Sequence, residues 1–594
     1  MKMKKHIDVV NINKNLKVNL NRKYKKSGLK LGILIAIGLT VFNVNAQKDR
    51  KVSFVGGARS LMNSNSLIVN DTIADTSTVK RKNGGYALLD LGVNIKPNKN
   101  TEIMGMFRIR NEYGGFWGSG VSFDVRQLWI KGVLANALRY QLGDLNLKQT
   151  QFTLYNHHSD QVDSLPTIFN LQKNIVSYDR FYMGNNSWRM QGASVDFGFT
   201  FSKFIKEVNV NAFITRLNAT DFSNVNDRLM RALTLQIVQS KNFYLAYNNN
   251  TVFDVKGTVK NDNLFKNSVN TVDFNYNQKI GKENLVLAGE LGQSNYQYSA
   301  DTLAPKLNDY FMHFYAQMKV SNFNATLGFL SVGPDFRSIG SQSKDVNYNA
   351  QTVFYNRYTN AQIQRPIALI DLIGNENIYN RSISNSLMTQ SQVYNTISPY
   401  GMATFNRQGA YARVQYKTKQ KIEINAEYHS LSEIRGQGSS ALRAFSQTKV
   451  YAYLPIHEIF GLKRHLSIQV SNKMQSTNRS STQTIENVDL KMNQTSLGLK
   501  WEFSDGFEFL GGFVSQTNKG VDFIADRNTY SEVIYFNQNN LNLSQQITAL
   551  GLRYNFSPKV YLAILYQQST YKDQLKANAD FNMNQLGIIY SITL

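Results

Sequence analysis

Four arginines and three acids stand close together early in the chain: Arg108, Arg110, Arg126 and Arg139, with Glu102, Asp124 and Asp144. Arg108 and Arg110 are two residues apart, so in an extended strand they share one face. A basic row facing carboxylates across a narrow polar opening orients polar solutes and sets ion preference by electrostatics. The competing reading is structural: charges of opposite sign that become buried pair with one another and hold an interior in shape.

Hydrolytic and metal chemistry find less support. Cysteine is absent, which removes thiolate metal sites, disulfide scaffolds and cysteine nucleophiles. Of seven histidines, His6 precedes any folded segment, His157-His158 sits in a long connector, and His313 and His429 fall on strands three apart. A hydroxyl nucleophile needs a base and an orienting partner within hydrogen-bond reach. No Gly-x-Ser-x-Gly and no His-Glu-x-x-His occurs. The expectation is a protein without enzymatic activity, catalytic residues, metal or cofactor. A net charge of +25 does not by itself argue for nucleic acid, because no helix or compact basic domain concentrates it.

The elements that must position these residues follow period two. In 86–96, Leu89, Leu91, Val93 and Ile95 oppose Asp90, Gly92 and Asn94; in 420–432, Ile422, Ile424, Ala426 and Tyr428 oppose Glu423, Asn425, Glu427 and His429. Tyrosine (32) and phenylalanine (35) are plentiful and proline (8) is scarce, which suits pleated, half-buried strands. No apolar run is long enough for a spanning helix. Counting alternating segments gives about 22 strands, with roughly 16 as the lower bound.

The connectors carry more information than the strands. Short ones (Pro97–Asn100, Ser202-Lys203, Gly281-Lys282, Ser321-Asn322, Ser504–Gly506, Ser557–Lys559) alternate with long ones near 61–84, 145–186, 254–267, 333–407, 475–488 and 517–543. A soluble sandwich has no reason to sort its loops by parity, and no fixed repeat points to a solenoid or propeller. A membrane barrel has that reason: tight turns lie on one side and excursions on the other. Hydrocarbon cannot satisfy free backbone groups, so such a sheet must close. The fold class expected is therefore all-β, a transmembrane antiparallel up-and-down β-barrel with long extracellular or infolded loops.

Residues 1–46 read as a signal peptide: a basic stretch (Arg22, Lys23, Lys25, Lys26, Lys30), the apolar run Leu31–Phe42, then Val44-Asn45-Ala46 before Gln47. The barrel domain would occupy 47–594, starting too soon after the signal to leave space for a separate plug domain. The inserts 145–186 and 333–407 are the candidates for a lumen plug, with at least one expected to fold inward. The second holds an apolar stretch, Pro366–Ile373, that a solvated loop would not need.

With its Ala-Gln junction, period-two strands and loop parity, the chain resembles the large porin-like outer-membrane barrels of the Bacteroidota over 47–594. The last segment, with Leu586, Ile588, Tyr590, Ile592 and Leu594 on one face, looks like a closing strand, though many such barrels end in phenylalanine. The resemblance implies location in the cell outer membrane after export through a cleaved signal peptide. The partners expected are outer-membrane lipid and the phosphates of lipopolysaccharide, met by basic side chains at turns and outer loops, together with small polar solutes. Two functions remain open: a porin-like channel for passive passage of small polar or anionic solutes, lined by the seven charged residues above, and a closed barrel serving secretion, gliding or cell-surface assembly without transport.

Overall fold

A computed structural model describes residues 51–69, 78–113, 121–157, 165–176, 178, 186–223, 226–260, 263–299, 306–342, 397–436, 438–527, 533–575 and 580–594. The segment 1–46 and the apolar stretch 366–373 lie outside the described residues. Twenty-two strands form one sheet. The first wall is β1 (Val52–Val69), β2 (Thr78–Asn98), β3 (Thr101–Glu112), β4 (Val121–Leu134), β5 (Leu138–Leu147), β6 (Trp188–Thr200), β7 (Glu207–Asn218) and β8 (Arg228–Val238). It continues through β9 (Phe243–Asp254), β10 (Phe265–Ile280), β11 (Glu283–Tyr298), β12 (Leu307–Val320), β13 (Phe323–Val332), β14 (Arg407–Lys417) and β15 (Glu423–Ser432). The rest is β16 (Ala444–Leu454), β17 (Leu466–Arg479), β18 (Val488–Ser504), β19 (Phe507–Arg527), β20 (Val533–Ser557), β21 (Val560–Asp573) and β22 (Phe581–Thr593).

Each strand pairs antiparallel with the next, and β22 returns to β1 in the register Gly57↔Thr593 to Val69↔Phe581. The ring is closed, so no strand edge is left to be satisfied by solvent. One rim carries tight turns such as Gly281-Lys282 and Ser321-Asn322; the other carries the long connectors that the sequence singles out, while 455–465, with a short helix at Ile456–Phe460, is the longest link on the tight-turn rim.

Outside, the alternating residues are apolar and exposed: Leu89 and Leu91 on β2, Phe107 and Ile109 on β3, Leu586, Ile588 and Tyr590 on β22. Near the tight-turn rim an external aromatic chain runs Trp501, Phe503, Phe507, Tyr554, Phe556 and Tyr590, with neighbouring ring centroids 4.3 to 6.1 Å apart. Aromatic girdles of this kind border the apolar band of membrane barrels. Inside, the wall is largely polar, with Asn248, Asn250, Thr271, Gln475, Gln516, Gln545 and Gln567 buried.

The strand count agrees with expectation, but two long connectors do not. Most of 61–84 is a hairpin extension of β1 and β2, and most of 517–543 extends β19 and β20. Those extensions run past the apolar band and carry polar residues on both faces, so they lack the alternation that marks the rest.

Candidate functional site

The structure divides the seven charged residues between two levels, and Asp144 departs from the expected inward phase. The β5–β6 register runs unbroken from Arg139↔Asp196 to Leu147↔Trp188, so Asp144 alternates with Leu145 and Leu147, which join the interior cluster. Arg108 sits opposite Asp90 in the β2–β3 register and holds it with a two-pronged ion pair, Nε to Oδ1 at 2.7 Å and Nη2 to Oδ2 at 2.7 Å. Both side chains are wholly buried. Arg126 brings its Nε to 3.6 Å from the same carboxylate. It reaches there because it is the extra residue of a β-bulge: Met106 pairs with Gln127 and Phe107 with Val125, which re-aims Arg126 into the interior. Asp124 is the register partner of Arg108 on β4.

Tyr178, from the first insert, completes this knot. Its hydroxyl donates to Asp90 Oδ2 at 2.6 Å, its ring lies 4.1 Å under the Arg126 guanidinium, and Arg126 donates to its carbonyl. One layer further toward the long-loop rim, Arg110 stacks on the Tyr86 ring at 3.8 Å, and Arg59 donates to the Tyr86 hydroxyl at 3.2 Å. Asp144 accepts from Leu128 N at 2.6 Å and from Arg189 Nη2 at 2.9 Å. The strand β5 pairs with β4 only from Trp129 onward, so the Asp144 carboxylate takes an amide that the ladder leaves over.

Glu102 and Arg139 belong instead to a vestibule at the tight-turn rim, a cavity of about 530 Å³. Its charged lining is Lys96, Lys99, Lys131 and Arg139 against Glu102 and Asp196. Lys131 pairs with Glu102 at 3.1 Å and Arg139 with Asp196 at 2.8 Å. Leu145 and Leu147 border the cavity on its inner side.

Above the vestibule the inserts occupy the lumen. A helix, α1 (Thr167–Val176), turns Ile168, Phe169, Leu171 and Ile175 into an apolar cluster that joins Trp188, Met190 and Met230 on one wall to Leu510, Val514, Ile547 and Leu565 on the other. The far wall is pared away to receive it. A Cβ added at Gly512 would lie 2.4 Å from Ile168 Cγ2, and one at Gly498 would lie 2.9 Å from Pro166 Cβ. Only glycine lets the helix approach the strand so closely. The helix start is also tied, with Thr167 N donating to Gln469 Oε1 at 2.9 Å.

The ends of the second insert fold in as well. Phe152 stacks on Phe311 at 3.9 Å, Phe336 meets Phe311 edge-on, and Tyr155 N donates to Gly340 O at 3.0 Å. Gln342 Nε2 donates to Ala403 O at 2.9 Å, so both flanks, 333–342 and 397–406, are bound to each other beside the first insert. His313 and His429 are brought together by Tyr411, which lies between them with ring centroids at 5.8 and 5.3 Å. Gly328 on the intervening strand leaves the space, since a Cβ there would strike the Tyr411 ring at 2.2 Å. Among the described residues no group of three His, Asp or Glu side chains could hold a metal ion.

Asp90 is the central residue that the charge pattern alone passes over, although its inward phase between Leu89 and Leu91 is readable. Tyr178, Arg189 and the Tyr86 platform give no signal in the sequence, because their partners come from other strands or from an insert.

No family model matches the chain, and no curated protein matches it. Solved structures similar to it include OccK8 (OprE) of Pseudomonas aeruginosa, 9% identical with a TM-score of 0.32, over 91% of this chain and 98% of that one. A BenF-like porin from Pseudomonas fluorescens Pf-5 is 10% identical with a TM-score of 0.32, over 91% and 99%. OpdK of Pseudomonas aeruginosa, solved with vanillate, is 8% identical with a TM-score of 0.33, over 91% and 100%. Superposition this loose leaves the functional reading to the walls and inserts of the chain itself.

Proposed function

We propose that the chain is an exported outer-membrane channel of porin type that passes small polar solutes, with a preference for anions. The observation that carries this is the two-sided wall: a closed ring with an apolar, aromatic-bordered exterior around a polar, charged interior. A hydrocarbon-facing belt outside and hydrogen-bonding side chains inside is the pattern of a barrel that separates lipid from an aqueous path. The tight-turn rim would face the periplasm, and the long connectors the cell exterior. The segment 1–46 would direct export and be removed before Gln47, and basic side chains at the outer rim would meet lipopolysaccharide phosphates.

In this reading the inserts narrow the lumen instead of leaving it open, and solutes pass from the inserts to the vestibule lined by Lys96, Lys99, Lys131 and Arg139. The anion preference would come from the excess of cationic side chains around the vestibule, Lys96, Lys99, Lys131 and Arg139 against Glu102 and Asp196. Arg110 and Arg139 are each paired, with Glu112 at 2.6 Å and Asp196 at 2.8 Å. Arg108 contributes less, since Asp90 neutralises it directly.

A second reading is favoured by one specific feature. The apolar cluster built on α1 bridges opposite walls, as a barrel closed for binding or for surface assembly would require. Single-channel recording of the refolded protein in a planar bilayer under a salt gradient separates the two. Stable conductance with anion preference, weakened in Arg139→Gln, is expected. A correctly inserted but electrically silent barrel would overturn the channel and leave the closed-barrel reading.

A further inference from the structure

At the long-loop rim, one row of inward residues runs across six neighbouring strands. The registers Gln408↔Ser432, Ser432↔Ala444 and Ala444↔Asn478 place Arg407, Glu433, Arg443 and Arg479 one step beyond, side by side. Arg479 pairs with Val488, and Asp489 with Val521, so Val488 and Asp522 continue the row. All six are buried, none more than 3% exposed. The row holds three guanidinium groups against two carboxylates.

The hydrogen bonds within it are uneven. Arg407 is bound by Ile397 O and Asn406 O and stacks on Phe445 at 3.7 Å. Arg443 N donates to Glu433 Oε2 at 3.0 Å, and Arg443 Nη2 donates to Asp522 Oδ1 at 2.9 Å and to Phe523 O at 3.0 Å. Arg479 donates through Nε to Glu486 O at 2.5 Å. What remains is Nε and Nη1 of Arg443, both terminal nitrogens of Arg479 and one acceptor, Oε1 of Glu433, each buried without a hydrogen-bond partner, so four donors stand against a single oxygen. Arg479 makes no ion pair within 4.0 Å among the described residues.

Buried guanidinium N–H groups are costly to leave unmatched, and folded proteins almost always satisfy them. Adjacent planar forks are matched by a group with two or more negatively charged oxygens. We propose that Arg443 and Arg479 form a site for an oxyanion, a carboxylate or phosphate group, reached from the lumen near the outer rim. The facing of the row selects between two sources of that chemistry. These side chains point into the barrel, whereas a lipid headgroup lies outside the wall, so the ligand is a small soluble anion. The site is independent of the channel reading, because a closed barrel would hold the same anion.

The test uses the full barrel refolded without lipopolysaccharide, with inorganic phosphate as the probe and thermal unfolding followed by tryptophan fluorescence. Phosphate should raise the unfolding midpoint of the parent protein in a saturable way, since a ligand that binds only the folded state stabilises it. Arg479→Gln should weaken the apparent affinity by at least about tenfold, the scale of a lost charged hydrogen bond. Arg464→Gln, at the opposite rim, should leave it unchanged. If Arg479→Gln fails to fold, Arg479→Lys, which keeps the charge and loses the fork, is read in the same way. Absence of a response to phosphate and to acetate in the parent overturns the site, as does an equal response in the Arg479 variant. Protection by lipopolysaccharide with none by inorganic phosphate overturns entry from the lumen.

Discussion

Replacing Asp90 tests whether the inner charged knot is held as the geometry implies. Asp90 accepts two bonds from Arg108 at 2.7 Å and one from the Tyr178 hydroxyl at 2.6 Å, and stands 3.6 Å from Arg126. Asp90→Ala removes the only negative charge in direct contact with both buried guanidiniums among the described residues. Removing one partner of a buried pair costs about 3–5 kcal/mol, and the lost tyrosine bond belongs to the same group, so about 4 kcal/mol is the working figure. That is on the order of a thousandfold in the folding equilibrium. Asp90→Asn keeps an acceptor and loses the charge, and about half that cost is expected. The pair Asp90→Ala with Arg108→Met should recover much of the loss, because both members are gone; coupled neighbours do not add. Urea unfolding in lipid vesicles, followed by tryptophan fluorescence, reads the parent, these three variants and the Arg108→Met single variant that closes the cycle. A cost below about 1 kcal/mol for Asp90→Ala, or strict additivity in the double variant, would show that the knot does not stabilise the barrel.

The seat of α1 predicts a second effect. Gly512→Val places a methyl-bearing carbon where Ile168 already lies, an overpacking that costs about 1–3 kcal/mol. A cysteine introduced at Ile175, in a chain that has no other, should then react with a maleimide several times faster than in the Gly512 background; an unchanged rate would mean that the helix is not held by this floor. A third concerns pH. Burial, with Lys500 and His457 nearby, holds the His465 imidazole below its ordinary range, while Glu508 and Glu502 pull the other way. The unfolded chain therefore binds this proton first as pH falls, so stability is lost below about 6.5 and the loss ends at the depressed value. His465→Gln should flatten that part of the stability profile, and a slope identical to the parent's would assign the dependence to other groups.

Alternation and loop parity make the barrel legible in the residues themselves. Period two along 86–96 or 420–432 leaves one face for lipid and one for the interior, and a strand slipped by one residue would reverse both. That is why strand number, closure and the inward phase of Arg108, Arg110 and Asp124 could be read from the residues alone. The hairpin extensions of β1–β2 and β19–β20 escaped, because beyond the apolar band polar residues stand on both faces and the alternation fades. What the inward charges do was not in the sequence. Asp90 and Arg108 are neighbours through register, Arg126 joins them through a bulge, and Tyr178 arrives from an insert, 52 residues along the chain from Arg126. The row from Arg407 to Asp522 spans more than a hundred residues of chain. Local pattern determines which side of the wall a residue faces, since that depends only on its immediate neighbours. Which charge meets which depends on the register around a closed ring and on where the inserts settle within it, and only the tertiary structure decides those.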